Sequence, residues 1–332
     1  MRQTPFHVLL SSAGRRVALL EIFRKTLADL SLEGQVFAAD VSPLSAASRV
    51  ADRAFRVPRC TSPDFVPEML RICKEQSVAL VVPTIDTELS AYASHRDEFA
   101  RIGTTVAISS PETVSIGADK SRTHEWLTRE GFPTVRQGTA ADVLRDLRGW
   151  AFPVIVKPRF GSASIDVRRL DKPRELAILQ TPARYVVESI ARGVEHTVDV
   201  LVGRAGRCLC AVPRRRLEVR SGEVSKGMTF RSPALQSLAA RIAETLPGAF
   251  AVLNIQLFFD EPTGAASVIE INPRFGGGFP LAWQAGADLA RWLVQDVAGL
   301  PSDARPDSWE DRLVMLRYDA AVFAGAADLG LA

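Results

Sequence analysis

The chain reads as an α/β domain of the doubly wound kind, followed by an α+β part built around an antiparallel hairpin. Three stretches predict this. Residues 7–10, a glycine turn at Gly14, residues 17–30 and residues 36–40 give strand, turn, helix, strand, the opening of a doubly wound sheet. Residues 78–82 are a continuous apolar run, the signature of a parallel strand covered on both faces. Residues 254–259 and 268–272 flank a turn at Asp260-Glu261-Pro262-Thr263-Gly264 and read as a hairpin.

A length of 332 residues suits two or three domains. We place the divisions at residues 1–115, 116–190 and 191–332. The chain is 47% hydrophobic and 24% charged, ordinary for a globular protein, and its net charge of +3 argues against nucleic acid or a membrane surface as partner. Cys60, Cys73, Cys208 and Cys210 form neither a C-x-x-C pair nor a disulfide framework, so reduced thiols and a cytoplasmic location are expected. The N-terminus carries no signal-peptide pattern, and no apolar run is long enough to span a bilayer.

In the first domain the dinucleotide fingerprint G-x-G-x-x-G is reduced to Gly14, which disfavours a nicotinamide cofactor despite Asp40 at the end of the second strand. Residues 65–76 read as a helix. After the strand at 78–82 come Asp86 and Glu88, at the carboxyl end where open α/β sheets bind ligands. Two readings are balanced here: contact with a cationic group such as a substrate amine, or helix capping by Asp86 or Thr87 with Glu88 in the first turn. Residues 106–108 read as a last strand.

The middle of the chain predicts a helix over 116–131 with Lys120 in its first turn, against the usual preference for acids there. A helix over 140–148 follows, then a strand over 152–158 carrying Lys157. A glycine and serine loop with Gly161, Ser162 and Ser164 can lay backbone N–H groups over phosphates, although by itself a flexible hairpin explains it better and no P-loop motif is present. A strand over 184–188, the connection Ser189–Ile190 and a strand over 195–202 put Glu188 and Glu195 at the two ends of a segment able to hold adenine and ribose. His196 points to the other face and reads as structural.

The most basic run, 213–220, places Arg214, Arg216 and Arg220 on one face by alternation, and the loop 221–227 adds Lys226. A localised site for phosphates or a substrate carboxylate fits it better than a nucleic-acid patch, with a solvated edge strand as the alternative. A helix over 232–246 precedes the hairpin, a long helix over 280–298 follows it, and residues 313–318 return as a strand.

The hairpin carries the chemistry. Strand alternation puts Glu270 and Asn272 on one face, and pairing about Thr263 sets Gln256 opposite Glu270. This oxygen-rich set suits magnesium, particularly when phosphates complete its shell. Pro273 ends the strand, and Arg274 follows with a planar fork of donors for a phosphoryl oxygen; Gly276 and Gly277 continue the loop.

Together these motifs resemble the ATP-grasp superfamily, in particular the ATP-binding halves of carbamoyl-phosphate synthase large chains. The resemblance rests on Pro83-Thr84-Ile85-Asp86-Thr87-Glu88-Leu89, Asp119-Lys120, Val156-Lys157-Pro158, Val187-Glu188, Gly193-Val194-Glu195, Gln256 and Glu270-Ile271-Asn272-Pro273-Arg274. It implies an ATP-grasp fold behind a Rossmann-like first domain. It further implies that Lys120 and Lys157 bind ATP phosphates, Lys157 also facing the adenine. Glu188, Ser189 and Ile190 would mark the adenine hinge, with Glu195 on the ribose. The loop 161–164 would close over the phosphates. Gln256, Glu270 and Asn272 would hold magnesium, manganese being the other candidate, and Arg274 would meet the γ-phosphate and an acyl phosphate. A single module argues against full carbamoyl-phosphate synthesis. The expected function is a stand-alone carboxylate–amine ligase with small-molecule substrates, and the resemblance makes a homodimer the candidate assembly. Arg220 joins Arg274 and Lys157 as a catalytic cation, and Asp86, Glu88, Arg214, Arg216, Lys226, Gly276 and Gly277 are the substrate candidates. Alternatives are a carboxylating or carbamate-phosphorylating enzyme of the same fold and a non-catalytic ATP-binding regulator.

Overall fold

A computed structural model describes residues 5–161, 165–177, 179, 181–220, 222–329 and 331. Three sheets organise them. The first is parallel, β1 (His7–Ser11), β2 (Val36–Asp40), β3 (Arg53–Arg56), β4 (Val78–Pro83) and β5 (Thr105–Val106), in the order β3-β2-β1-β4-β5. The central strands are apolar on both faces because helices cover both. Leu9, Val81 and Phe37 pack with Phe65, Met69 and Tyr92 on one side, while Val8, Leu10 and Val82 pack on the other with Leu20, Phe23 and Phe279. The strand order reverses beside β1 and β4, so a crevice opens at their carboxyl ends.

The second sheet comprises β6 (Gln137–Thr139), β7 (Val154–Pro158), β8 (Arg168–Leu170) and β9 (Tyr185–Ser189), ordered β6-β9-β7-β8 and antiparallel throughout. The third is antiparallel: β10 (Val194–Val202), β11 (Cys208–Arg220), β12 (Glu223–Thr229), β13 (Ala251–Asp260), β14 (Ala265–Asn272) and β15 (Val314–Leu316), ordered β14-β13-β10-β11-β12-β15. One of its faces buries Val198, Val200, Leu253 and Ile255 against the helix Pro233–Thr245. Part of the other shares a core with the first domain, where Leu201 and Val212 join Phe275, Phe279 and the helices Val17–Asp29 and Leu289–Ala298. The hydrophobic seam between the first and third sheets brings the loops after β1 and β4 next to the hairpin β13–β14.

Several expected elements differ. The helix expected over 116–131 is two, Pro111–Ala118 and Lys120–Arg129. Asp119 between them is extended, and its carboxylate caps the second by accepting from Ser121 N at 3.0 Å. The helix expected over 280–298 is also two, Phe279–Gln284 and Leu289–Ala298, because Gly286 adopts φ +101°, which a helix cannot continue through. Residues 223–227 are not loop but part of β12, paired to β11. The short helix Ala46–Val50 and β3 had no strong periodicity and were not foreseen. The four cysteines are free. Among the described residues no helix is long and apolar enough to cross a membrane.

Candidate active site

The hairpin forms as its sequence predicts. In the β13–β14 ladder Gln256 lies opposite Glu270 and Asn254 opposite Asn272. The Gln256–Glu270 pair is a wall between two cavities, since both residues line each of them. The larger cavity, about 610 Å³, lies between the second and third sheets. Lys120, Lys157, Glu188, Ser189, Ile190, Glu195 and Gly161 line it with the apolar Val135, Ile155, Phe258 and Ile269. The smaller, about 270 Å³, lies between the third sheet and the first domain, against Asp86, Arg214, Arg216, Asn272, Arg274, Gly276 and Gly277. A third, shallower depression of about 690 Å³ on the first domain, beside Arg56 and Arg71, contains none of the candidate groups.

In the larger cavity Lys157 Nζ lies 2.8 Å from Glu188 Oε2, and both side chains are buried. Gln137 Nε2 donates to the other Glu188 oxygen at 2.9 Å. Glu188 therefore fixes the lysine. Lys120 opens its helix and donates from Nζ to Gly161 O at 2.6 Å, tying the glycine loop to the site. Burial lowers the Lys120 pKa, while Glu270 opposes that shift. Asp119, beside it, takes two hydrogen bonds from Arg159, at 2.8 and 2.7 Å. Glu195 pairs with Arg216 Nη1 at 2.6 Å; burial raises its pKa and Arg216 works against the rise. The same Arg216 nitrogen reaches Gln256 Oε1 at 3.1 Å. The Gln256 oxygen expected on a metal is thus already engaged by an arginine. Ser162 and Ser164 lie outside the described residues.

In the smaller cavity Arg274 Nε and Nη2 each donate to one oxygen of Asp86 at 2.6 Å. Asp86 is therefore an anchor for Arg274, each of its oxygens already holding one charge-assisted hydrogen bond. Glu88 is not a substrate ligand. It is fully buried and accepts from Ser11 Oγ, Ser12 Oγ, Thr84 N and Ile85 N, which binds the loop after β1 to the start of the helix Asp86–Arg101. Burial pushes its pKa up and these four donors pull it down.

Alternation holds for Arg214 and Arg216, which both line the smaller cavity, but pairing with β12 shifts between Arg216 and Glu218 and again before Val219, so Arg220 does not join them. Arg214 is buried and bidentate to Asp199, at 2.6 and 3.1 Å, with Asn254 Nδ2 also on Asp199. Arg216 faces both cavities' shared wall. Arg220 is 73% exposed at the strand end, and Lys226 is paired to Glu218 at 2.6 Å. Neither lines either cavity, which separates both from the site. Sequence reasoning missed Arg16, Asp199, Glu223 and Asn254. Asp199 was detectable, an acid inside an otherwise apolar strand; Arg16 and Glu223 had no signal beyond their charge.

The donor set fits magnesium at a phosphate site. Among the described residues, the Glu270 carboxylate has no hydrogen bond or ion pair, the Asn272 amide has no side-chain partner, and no group of three or more His, Cys, Asp or Glu side chains could hold a metal. One carboxylate and one amide leave most positions to phosphate oxygens and water, as magnesium prefers.

Comparison with known proteins agrees with this geometry. Residues 8–107 match the family described as "PylC-like, N-terminal domain", and residues 182–318 match "ATP-grasp in the biosynthetic pathway with Ter operon". The carbamoyl phosphate synthase large chains of Thermotoga petrophila and Thermotoga maritima are each 21% identical over 262 residues, covering 71% of this chain and 24% of theirs. The chain thus spans about a quarter of the length of these curated relatives. The biotin carboxylase domain of Hydrogenobacter thermophilus 2-oxoglutarate carboxylase superposes with a TM-score of 0.73 at 17% identity, over 94% of this chain and 74% of that one. N5-carboxyaminoimidazole ribonucleotide synthetase of Thermotoga maritima gives 0.67 at 18%, over 94% and 79%. These likenesses show the fold. Together with the family matches they lead to one assignment: the chain has the ATP-grasp fold, and residues 182–318 match an ATP-grasp family.

Proposed function

We propose that the chain is an ATP-dependent carboxylate–amine ligase working through an acyl phosphate. The supporting observation is the wall itself: Gln256 and Glu270 stand between a cavity with Lys120 and the buried Lys157 and a cavity with Arg274. ATP occupies the larger cavity, its base between Ile155, Ile190 and Phe258 and its phosphates running toward Lys120 and Lys157. A carboxylate substrate occupies the smaller cavity beside Arg274. A carboxylate oxygen attacks the γ-phosphorus, the bond to the β-phosphate oxygen breaks and ADP leaves; the amine nitrogen then attacks the acyl carbon, and phosphate departs with the amine proton. Arg274, held by Asp86, meets the charge that develops on the moving phosphoryl group. Glu270 and Asn272 would hold magnesium, which supplies charge neutralisation at the phosphate oxygens. Lys120 holds the backbone of Gly161 at the cavity, where exclusion of water would protect the acyl phosphate from hydrolysis.

The test is ADP release with magnesium-ATP, or manganese in its place, and pools of carboxylates and amino acids, with Glu270→Gln as control. Release that needs both a carboxylate and an amine supports the ligase. Release driven by bicarbonate alone replaces it with a carboxylating reaction; the Hydrogenobacter thermophilus domain was solved with bicarbonate and as a dimer. ATP binding without release from any pool leaves a nucleotide-binding regulator. A homodimer is part of the reading, and sedimentation of the full chain checks it.

A further inference from the structure

The arginines of the smaller cavity are not evenly matched with carboxylates. Arg274 has Asp86, Arg214 has Asp199 and Arg216 has Glu195. Glu223 is shared by three: Arg16 Nη2 at 3.2 Å, Arg15 Nη2 at 3.0 Å and Arg317 Nη1 at 3.2 Å. Two positive charges there have no carboxylate of their own. Of the three, Arg16 is the one that lines the cavity, and its side chain is only 16% exposed. Among the described residues its only ion-pair partner is Glu223, so most of its five N–H donors are unused. Burial lowers its pKa, Glu223 opposes this, and the nearby Arg274 adds to it.

The run Gly276-Gly277-Gly278 leaves this guanidinium open to the cavity. A Cβ added at Gly277 would fall 2.8 Å from Arg16 Nη1 and 2.9 Å from Glu223 Cδ. Any side chain there would cover the pair. The carboxylate of the wall, Glu270, lines both cavities but, among the described residues, makes no ion pair with Arg16.

We infer that the substrate held beside Arg274 carries a second oxyanion, a carboxylate or a phosphate, which binds Arg16 at the Arg15–Arg16–Arg317 cluster. A buried arginine with one shared partner is costly until a further anion arrives. Its planar fork favours a two-oxygen partner. The inference rests on the ligase reading for the reacting end of the substrate and adds its far end. Discrimination follows from the same charges: a substrate lacking the second anion leaves Arg16 desolvated and unmatched.

The experiment is calorimetric binding to the full chain with ADP and magnesium present, using succinate against butyrate, aspartate against alanine, and phosphoserine against serine. In at least one pair the added anion is expected to tighten binding by about tenfold or more, the scale of one charge-assisted contact. The pair that responds separates carboxylate from phosphate. Arg16→Gln removes the preference while ADP affinity stays. Glu223→Gln removes the competing carboxylate and tightens the dianion, a change opposite in sign to a folding defect. Gly277→Ala weakens it. No preference in any pair, or a preference that survives Arg16→Gln, overturns the inference. ADP release, measured separately, judges the ligase reading: dianion binding without release leaves this site standing and removes that reaction.

Discussion

Arg274 and Asp86, 188 residues apart, meet through two parallel hydrogen bonds of 2.6 Å. Arg274 follows the end of β14, and Asp86 is the first residue of the helix after β4. The pair joins the third sheet to the first domain at the proposed site of phosphoryl transfer. Asp86→Asn leaves one neutral acceptor where two charged ones stood. It is expected to lower turnover on the order of 100-fold through misplacement of Arg274, with ADP affinity unchanged. It should also lower stability by about 1–3 kcal/mol, read from urea midpoints.

The Lys157–Glu188 pair is buried, so its halves depend on each other. Lys157→Met leaves Glu188 without its cation and should destabilise by about 3–5 kcal/mol. Adding Glu188→Gln should recover most of that loss, since the remaining groups are neutral. ADP affinity should stay low in both variants. Recovery of ADP binding in the double variant would remove Lys157 from the phosphate site.

Glu270 and Asn272 are expected to set the metal requirement. Glu270→Gln and Asn272→Ala should raise the magnesium needed for half-maximal ADP binding on the order of 10–100-fold, the range known for loss of metal-supporting groups. Binding of ADP that is indifferent to magnesium in all three proteins would place the metal elsewhere.

Along β11 the effects should divide sharply. Arg216 reaches Glu195 and Gln256, whereas Arg220 is exposed and lines neither cavity. Arg216→Ala should abolish ADP release. Arg220→Ala and Lys226→Ala should stay within about twofold of the parent, as exposed ion pairs contribute little.

His196 gives a pH dependence of stability. It is buried beside Phe230 and Phe259, its Nδ1 meets Val194 O at 2.8 Å, and among the described residues Nε2 has no partner. Burial lowers its pKa below the ordinary value near 6.5. The unfolded chain then takes up the proton first as pH falls, so folding stability decreases from neutral pH down through the folded pKa. His196→Phe removes this contribution, and its urea midpoint should fall less between pH 7 and pH 5.5 than that of the parent, as expected for removing a titrating group. Equal slopes would mean that His196 does not titrate differently in the two states.

Short-range information in the chain was enough for the hairpin. Period-two alternation puts Glu270 and Asn272 on one face, Pro273 ends the strand, and the turn at Thr263 and Gly264 sets Gln256 against Glu270. The same local logic placed β1, β2 and β4 and put Lys157 at the end of its strand, because a strand's face and end follow from its own residues. Two long helices were overestimated because single residues, Asp119 and Gly286, break them through backbone conformations that apolar spacing does not encode.

The sequence by itself determined the fold class, the strands that carry the chemistry and the types of group they offer. Tertiary structure alone decided which groups meet. A bulge between β11 and β12 separated Arg220 from Arg216, burial turned Glu88 into a brace, and an ion pair across 188 residues made Asp86 an anchor for Arg274. Arg16 and Glu223 come from the first domain and the third sheet and converge only when the shared core closes between them. Strand periodicity is local, whereas the partner of a charge is fixed by packing between distant segments, and no pattern along the chain records it.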